Sequence, residues 1–417
     1  MTPFSNSFSF LRPAAPLLAL GCLLGGLFGS LLSGCGGAGN QTGPAQATRP
    51  GDLVQSESLS PQAQLGAKIF ADVSLSASGR QSCASCHDPA HAHAQSNDLP
   101  VQSGGANLDV PGFRAVPSLR YLNLTPQFAI DKEGAASGGF DRDGRAASLA
   151  EQAARPFLAP HEMANTGPAE VVAKLQRTAY AEQFRTTFGA DIFSNADTAF
   201  ARITYALQQY QKEDPAFHPY NSKFDAFLAG KAQLNAAELR GYALFNDKTR
   251  GNCAACHPSS KAADGSAPLF TDFSFDALGV PRNTHIPATQ DAAYADLGLC
   301  GPDRLDLAAQ TRFCGQFKVP TLRNVATRKV FFHNGYFSNL RDTLRFYVQR
   351  DTSPERWYPL LPDGTADKFN DLPLAYRANV NISEVPYNRL RGMAPALSEA
   401  DIDDLLQFLT TLNDGGQ

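Results

Sequence analysis

The sequence has no run of basic residues and few charged residues of either sign. Its 36 lysines and arginines against 40 aspartates and glutamates give a formal charge of −4, and charged residues make up 18% of the 417 positions, below the usual ~25%. Nucleic acid binding requires a concentrated positive surface, so this composition argues against a nucleic acid partner. The 34 glycines and 28 prolines are too few for a disordered or collagen-like chain and indicate a loop-rich globular protein. Tryptophan is nearly absent, with Trp357 the single example.

The N-terminus has the features of an export signal. Residues 13–32 form an apolar run after Arg12, long enough to span a membrane. The single basic residue, the many glycines and the small residues that follow favour a secretory signal instead. Leu32-Ser33-Gly34-Cys35 resembles a bacterial lipobox, in which the cysteine becomes the lipidated first residue. We therefore predict a lipoprotein signal peptide over 1–34, a flexible polar tether over 35–55, and a periplasmic protein that is held at the membrane only by a lipid on Cys35.

Two segments share the pattern Cys-x-x-Cys-His. They are Cys83-Ala84-Ser85-Cys86-His87 and Cys253-Ala254-Ala255-Cys256-His257, and this is the attachment sequence of c-type haem. The thiols of Cys83, Cys86, Cys253 and Cys256 would add to the haem vinyl groups, and His87 and His257 would ligate the two irons. A zinc site would need four ligands, and a redox dithiol does not require the histidine. The pattern predicts two covalently bound haem c groups.

The same landmarks surround both motifs, which indicates an internal duplication. A short helix precedes each motif, capped by Ser60 in the first copy and by Asn235 in the second, because both residue types accept hydrogen bonds from a helix N-terminus. Val-Pro-Ser-Leu-Arg at 116–120 and Val-Pro-Thr-Leu-Arg at 319–323 follow the motifs. The region 213–232 is the expected boundary between the copies.

The last helix is predicted to begin after Ser398 and to seal the second copy. Its apolar face consists of Ile402, Leu405, Leu406, Leu409 and Leu412, at helical spacing. The predicted fold is mainly α, with two tandem cytochrome c-like haem domains, long loops and little strand. The N-terminal domain spans 56–220 and the C-terminal domain spans 221–417.

Over residues 60–412 the chain resembles the bacterial di-haem cytochrome c peroxidase/MauG superfamily. Besides the two haem motifs, the resemblance is carried by Asp-Gly-Arg at 143–145, His-Glu-Met at 161–163, Val-Pro-Thr-Leu-Arg-Asn at 319–324 and Phe-Phe-His-Asn-Gly at 331–335. The stretches 217–228, 297–302 and 346–359 are most similar to a MauG-like branch that includes the methanobactin-associated enzyme MbnH. The resemblance implies an N-terminal haem that reacts with peroxide and a C-terminal haem that holds or relays electrons.

The resemblance also implies the residues of the peroxide pocket. Gln152, Pro156 and Glu162 match the glutamine, proline and glutamate of the family's distal pocket. Glu162 would transfer a proton between the peroxide oxygens, Gln152 would orient the peroxide, and Pro156 would shape a dry pocket. His161 is a rival base, but glutamate fits the family position.

Two departures from the family pattern affect the expected chemistry. No histidine occurs between His93 and His161, so the distal histidine that many of these peroxidases carry is missing and we expect a five-coordinate first haem. Arg142 stands where relatives place a tryptophan between the haems. Tyr121, Tyr336 and Tyr347 are candidate substitutes for that electron relay, and the sequence selects none of them.

Three further sites are expected in the C-terminal half. The distal ligand of the second haem is predicted to be Tyr387, with Met393 as the alternative; tyrosinate would favour high-valent chemistry, and methionine would raise the reduction potential. Cys300 and Cys314 belong to no haem motif and are predicted to form a disulfide, because the protein is exported. The resemblance also allows a calcium ion bound by the carbonyls of 319–324, although Tyr121 stands where some relatives carry an asparagine.

Three functions follow from these features. The leading hypothesis is a periplasmic di-haem peroxidase that reduces hydrogen peroxide at an open first haem, with electrons passed through the second haem from a small c-type cytochrome. A second is a MauG- or MbnH-type enzyme that uses peroxide to oxidise a residue of a partner protein. A third is a non-catalytic di-haem electron carrier, which would need both irons six-coordinate.

Overall fold

A computed structural model describes residues 59–415 of the chain. The predicted signal peptide, the whole predicted tether and the proposed lipidation site at Cys35 lie outside the described residues. In the described part, no helix is both long enough and apolar enough to cross a membrane.

The described residues are mainly helical, as predicted, with little strand. The α-helices are α1 (Pro61–Ala71), α2 (Cys83–Cys86), α3 (Leu149–Leu158), α4 (Pro168–Leu175), α5 (Ala181–Phe188), α6 (Ala196–Glu213), α7 (Lys223–Leu228), α8 (Ala236–Asn246), α9 (Leu340–Gln349) and α10 (Glu399–Thr410). Short 3₁₀ helices lie at Val73–Leu75, Pro89–His91, Ile192–Ser194, Pro215–Phe217, Cys253–Ala255, Pro287–Gln290, Thr311–Phe313, Val325–Thr327, Pro354–Arg356 and Leu374–Asn379.

Strands occur only as short antiparallel pairs within residues 59–415. They are β1 (Ser103–Gly104) with β2 (Val110–Pro111), β3 (Ala129–Ile130) with β4 (Ala136–Ser137), and β5 (Phe275–Asp276) with β6 (Phe317–Lys318). In the last pair Phe275 lies opposite Lys318.

The three helices predicted from their caps begin where expected. The Ser60 side chain accepts a hydrogen bond from the Ala63 amide at the start of α1. Asn235 and Ser398 form reciprocal capping boxes at α8 and α10, with glutamate and aspartate at the third helical position. These contacts satisfy amide groups that have no partner within the helix. The last helix is shorter than its apolar pattern suggests, because α10 ends at Thr410 and the buried Leu412 lies beyond it.

Two hydrophobic clusters organise the chain, one on each side of residue 220. The first includes Leu65 of α1 and Ile203 of α6 and extends to Phe217. The second begins at Phe224 and includes Phe408 of α10. Both belong to one compact unit that spans Glu57–Gln417, so the division into domains at residue 220 stays a prediction.

The two halves repeat a close helix contact made through glycine. Gly66 of α1 faces the carbonyl of Ala206 in α6, and Gly241 of α8 faces the carbonyl of Asp404 in α10. A Cβ atom at either glycine would collide with that carbonyl oxygen. Each motif is thus preceded by a helix that packs backbone to backbone on a later helix, and this contact requires the glycine of the repeated sequence.

Candidate functional site

Each Cys-x-x-Cys-His motif lies in the wall of its own cavity. The first cavity is lined by the 83–87 motif, by side chains of α1, α3 and α6, and by the segments 112–117 and 141–145. The second cavity is lined by the 253–257 motif, by side chains of α8, α9 and α10, and by the segments 315–333 and 384–387. The two sets of cofactor residues predicted from the sequence are therefore each brought together.

The histidine of each motif is oriented by a backbone carbonyl. His87 Nδ1 lies 3.2 Å from the carbonyl oxygen of His93, and His257 Nδ1 lies 2.7 Å from that of Phe270. Because a carbonyl only accepts, Nδ1 carries the proton and Nε2 keeps its lone pair. Burial lowers the pKa of His87 to about 4 and also lowers the pKa of His257. Both imidazoles are thus neutral, the form that ligates iron.

The motif thiols do not have the properties of a redox dithiol. Burial raises the pKa of Cys83, Cys253 and Cys256 to about 12, and it also raises the pKa of Cys86. A reactive dithiol has a lowered pKa, since the thiolate is the nucleophile. With the oriented histidines, these thiols fit two haem c groups, one in each cavity.

The three residues expected around the peroxide all line the first cavity. Gln152 and Pro156 are on α3, one helical turn apart, and Glu162 follows in the loop after the helix. The pKa of Glu162 is raised to about 7. Burial is the main cause and the nearby Asp141 carboxylate is the second, while the charge of Arg145 acts in the opposite direction. Its Oε2 atom is buried with no hydrogen-bond partner among the described residues. Glu162 can therefore accept and return a proton near neutral pH.

Four charged residues that line this cavity were not assigned to it from the sequence: Arg114, Asp141, Arg145 and Asp303. Asp141, Arg145 and Asp303 line it together with Glu162. Arg145 lies 3.4 Å from Asp141 and 3.2 Å from Asp303. Arg145 belongs to the Asp-Gly-Arg motif and Asp141 lies two residues before it, so that motif was a usable signal. Asp303 lies about 160 residues after the Asp-Gly-Arg motif, and no local sequence pattern connects it with this cavity.

Asp303 belongs to a loop that an ion-pair network holds against the first cavity. Arg114 donates to Asp296 at 2.7 Å and to Asp143 at 2.7 Å, and Arg145 donates to Asp143 at 2.7 Å. Asp143 is fully buried, and a buried carboxylate is stable only when paired and hydrogen-bonded. The network therefore ties the 296–303 segment of the C-terminal half to the Asp-Gly-Arg motif of the N-terminal half.

The loop that contains Asp303 lies between two cysteines that are close together, Cys300 and Cys314. Cys300 and Cys314 are both buried, and their sulfur atoms face each other across a Cα–Cα distance of 4.9 Å, which fits the predicted disulfide. This pair encloses Asp303.

Two potential iron ligands besides His87 are in the wall of the first cavity. His161 and Met163 flank Glu162 and line the same cavity as Glu162. The His161 ring packs edge-on against Phe113 at 5.2 Å, and Met163 is buried in the first hydrophobic cluster. The His161 imidazole is thus a rival for the position opposite His87, while the contacts of Met163 are those of a core residue.

The two candidates for the distal ligand of the second haem are in different environments. Tyr387 is buried and lines the second cavity, with the Arg350 guanidinium 4.4 Å from its ring centre. Burial raises the pKa of Tyr387 well above its ordinary value. Met393 is 48% exposed and is not among the residues that line the second cavity. The geometry therefore favours Tyr387.

Arg142 lines both cavities. Its Nε and Nη2 atoms donate to the carbonyl of Ala115 at 3.1 and 2.9 Å. Among the tyrosines considered as relays, Tyr347 lines the second cavity, while Tyr121 and Tyr336 line neither cavity. The position at which the resemblance led us to expect tryptophan is thus occupied by an arginine that reaches both cavities.

The residues around Tyr121 do not fit a calcium ion. The Arg323 guanidinium lies 4.6 Å from the Tyr121 ring centre and forms an ion pair with Asp225. The carbonyls of Val319 and Thr321 already accept hydrogen bonds from side chains. A permanent cation at this position would repel a second one.

Comparisons with known proteins agree with this reading of the two cavities. A family profile described as di-haem cytochrome c peroxidase matches residues 60–233. The methylamine utilization protein MauG of Paracoccus denitrificans is 34% identical over 89% of this chain and 92% of its own length. The cytochrome c551 peroxidase of Nitrosomonas europaea is 33% identical over 68% of this chain and 71% of its own. The crystal structure of the diheme peroxidase BthA from Burkholderia thailandensis superposes with a TM-score of 0.78 at 38% identity, covering 85% of this chain and 86% of BthA.

Proposed function

Because the chain belongs to the di-haem cytochrome c peroxidase and MauG family, and is therefore a peroxidase-type oxidoreductase with two haem c groups, we propose that it reduces hydrogen peroxide in the first cavity with electrons that arrive through the second. The observation that carries this proposal is Glu162. Glu162 lines the same cavity as His87. Its pKa is raised, and its Oε2 atom has no hydrogen-bond partner among the described residues.

The first cavity has the residues that peroxide reduction needs. When haem is bound there, its iron supplies the site at which the oxygen–oxygen bond is cleaved. Glu162 takes a proton from one peroxide oxygen and returns it to the departing oxygen, so that water leaves instead of hydroxide. The Gln152 amide orients the peroxide by hydrogen bonding, and Pro156 restricts the space on the α3 side.

The second cavity supports the supply of electrons. His257 and Tyr387 would hold the iron there, since both line this cavity and Met393 does not. A small c-type cytochrome is the proposed donor, because the relatives include the cytochrome c551 peroxidase of Nitrosomonas europaea.

A second candidate is oxidation of a residue on a partner protein. The identity to a MauG protein over most of both chains favours it. The cation at Arg142 counts against it, because an arginine side chain is not a site for an electron or hole as tryptophan is. A non-catalytic electron carrier is the third candidate, and it requires His161 or another side chain to fill the position opposite His87.

We propose further that the protein is periplasmic and anchored by a lipid on Cys35, as the N-terminal sequence indicates. Replacement of Cys35 by serine should move the protein from the membrane fraction to the soluble periplasmic fraction. If the variant stays in the membrane fraction, residues 13–32 act as a spanning helix instead.

Low-temperature EPR of the resting ferric holoenzyme tests the main proposal. One high-spin and one low-spin signal are expected, and one equivalent of hydrogen peroxide should remove both signals without prior reduction. The His161→Ala variant should show the same two signals. Two low-spin signals that do not respond to peroxide would refute the proposal, and conversion of one of them to high spin in His161→Ala would identify His161 as a distal ligand.

A further inference from the structure

The buried arginines of the described residues are paired with carboxylates, whereas two half-buried arginines in the cavity walls are not. The three arginines with the lowest exposure form the ion pairs Arg304–Asp306, Arg323–Asp225 and Arg350–Asp351. Arg142 and Arg328 are half-buried in the cavity walls, without any carboxylate oxygen within 4.0 Å among the described residues. Burial lowers the pKa of Arg142 to about 9 and that of Arg328 to about 10. A cation that is largely withdrawn from water and has no paired carboxylate is costly, so these two guanidiniums call for an anion that the described residues do not supply.

Both guanidiniums have N–H groups to spare. Arg142 uses Nε and Nη2 on the carbonyl of Ala115, which leaves three of the five N–H groups of a guanidinium. Arg328 donates through Nη2 to the carbonyl of Thr321 at 3.3 Å, and its Nε has no partner among the described residues. The free donors can accommodate carboxylates in the two-pronged manner that arginine favours.

The two residues differ in the cavities that they reach. Arg328 lines the second cavity only, whereas Arg142 lines both. Each haem carries two propionate carboxylates, which are the anions that haem binding brings into these walls.

We propose that Arg142 and Arg328 bind the propionates of the haem in the second cavity, and that Arg142 also binds a propionate of the haem in the first. One guanidinium then pairs with both prosthetic groups. In this protein the position of the family's tryptophan becomes an electrostatic bridge that sets the reduction potentials of the two haems together. The inference rests on the two haem groups of the proposed function and not on its peroxide chemistry.

The test is a spectroelectrochemical titration of the holoenzyme in the absence of peroxide. We expect Arg142→Gln to lower the midpoint potentials of both haems, because loss of a positive charge disfavours the added electron. Arg328→Gln should lower only that of the second haem. A shift of about tenfold in the reduction equilibrium corresponds to about 59 mV for one electron. Arg185→Gln is the matched control, since Arg185 is on α5 and lines neither cavity, and it should leave both potentials unchanged.

The bridge is refuted if Arg142→Gln changes the potential of one haem only or of neither, or if Arg185→Gln has the same effect. Arg142→Lys provides the measurement should Arg142→Gln fail to fold. An ammonium is a point charge that cannot serve two carboxylates as a guanidinium does, so at least one potential should fall, and no change in either would overturn the proposal. Because no peroxide is used, a protein without peroxidase activity still gives a result.

Discussion

Substitution of Glu162 by glutamine tests the chemistry of the first cavity through its dependence on pH. Glu162 must be ionised to accept a proton from peroxide, and its pKa is raised to about 7 from the ordinary 4.5. About a tenth of the side chain is then ionised at pH 6 and about nine tenths at pH 8, so the rate should rise by roughly tenfold over this range. A glutamate of ordinary pKa would be almost fully ionised at both pH values, and the rate would be flat.

The assay is the second-order rate at which hydrogen peroxide changes the haem absorbance of the resting holoenzyme, followed by stopped flow from pH 5 to 9. Glu162→Gln should lower this rate by about 10²–10⁴-fold, the usual contribution of a general acid–base group, and should abolish the pH dependence. Glu182→Gln is the control, because Glu182 is an exposed residue of α5. It should leave both the rate and its pH profile unchanged.

Asp141→Asn separates the causes of the raised pKa. Burial is the larger cause and the Asp141 charge the second, so removal of that charge should move the midpoint of the pH profile to lower pH without returning it to 4.5. A flat wild-type profile, or a Glu162→Gln protein that reacts at the wild-type rate, would refute the assignment of Glu162. A midpoint that rises in Asp141→Asn would refute the electrostatic argument alone.

Three other substitutions test the second cavity and the fold. Tyr387→Phe should change the low-spin EPR signal and raise the reduction potential of the second haem by at least about 0.1 V, within the ~0.8 V that axial ligands span. Met393→Leu should change neither the signal nor the potential. The reverse pattern would identify Met393 as the ligand. Gly241→Ala should lower the free energy of unfolding by about 1–3 kcal/mol through overpacking, measured by denaturant titration, whereas Gly167→Ser, in open space, should be nearly neutral; equal effects would contradict the packing argument. Cys300→Ser should lower the free energy of unfolding by about 3 kcal/mol if the predicted disulfide forms. If reductant leaves the free energy of unfolding of the wild-type protein unchanged, the disulfide does not form.

Local sequence was sufficient where a short segment contains its own physical cause. Ser60, Asn235 and Ser398 predicted three helix starts correctly, because a cap acts on amides only two or three residues away. The spacing of cysteines and histidine within each motif likewise indicated haem attachment, since one haem edge and one iron must be reached from five consecutive residues. The end of α10 was less predictable, because a buried residue that follows a helix can continue the apolar pattern of that helix. Leu412 does so, although it lies beyond the last helical residue, Thr410.

What the sequence by itself determined is therefore the helical fold class and the two haem motifs, which depend on short-range spacing. The candidates Gln152, Pro156 and Glu162 came from the family resemblance. Only the tertiary structure decided that Asp303 reaches the first cavity, that Tyr387 lines the second while Met393 is exposed, and that Arg142 faces both. These placements depend on which distant segments pack together. A charge or a ligand acts over a few ångströms of space, and separation along the chain carries no information about that distance.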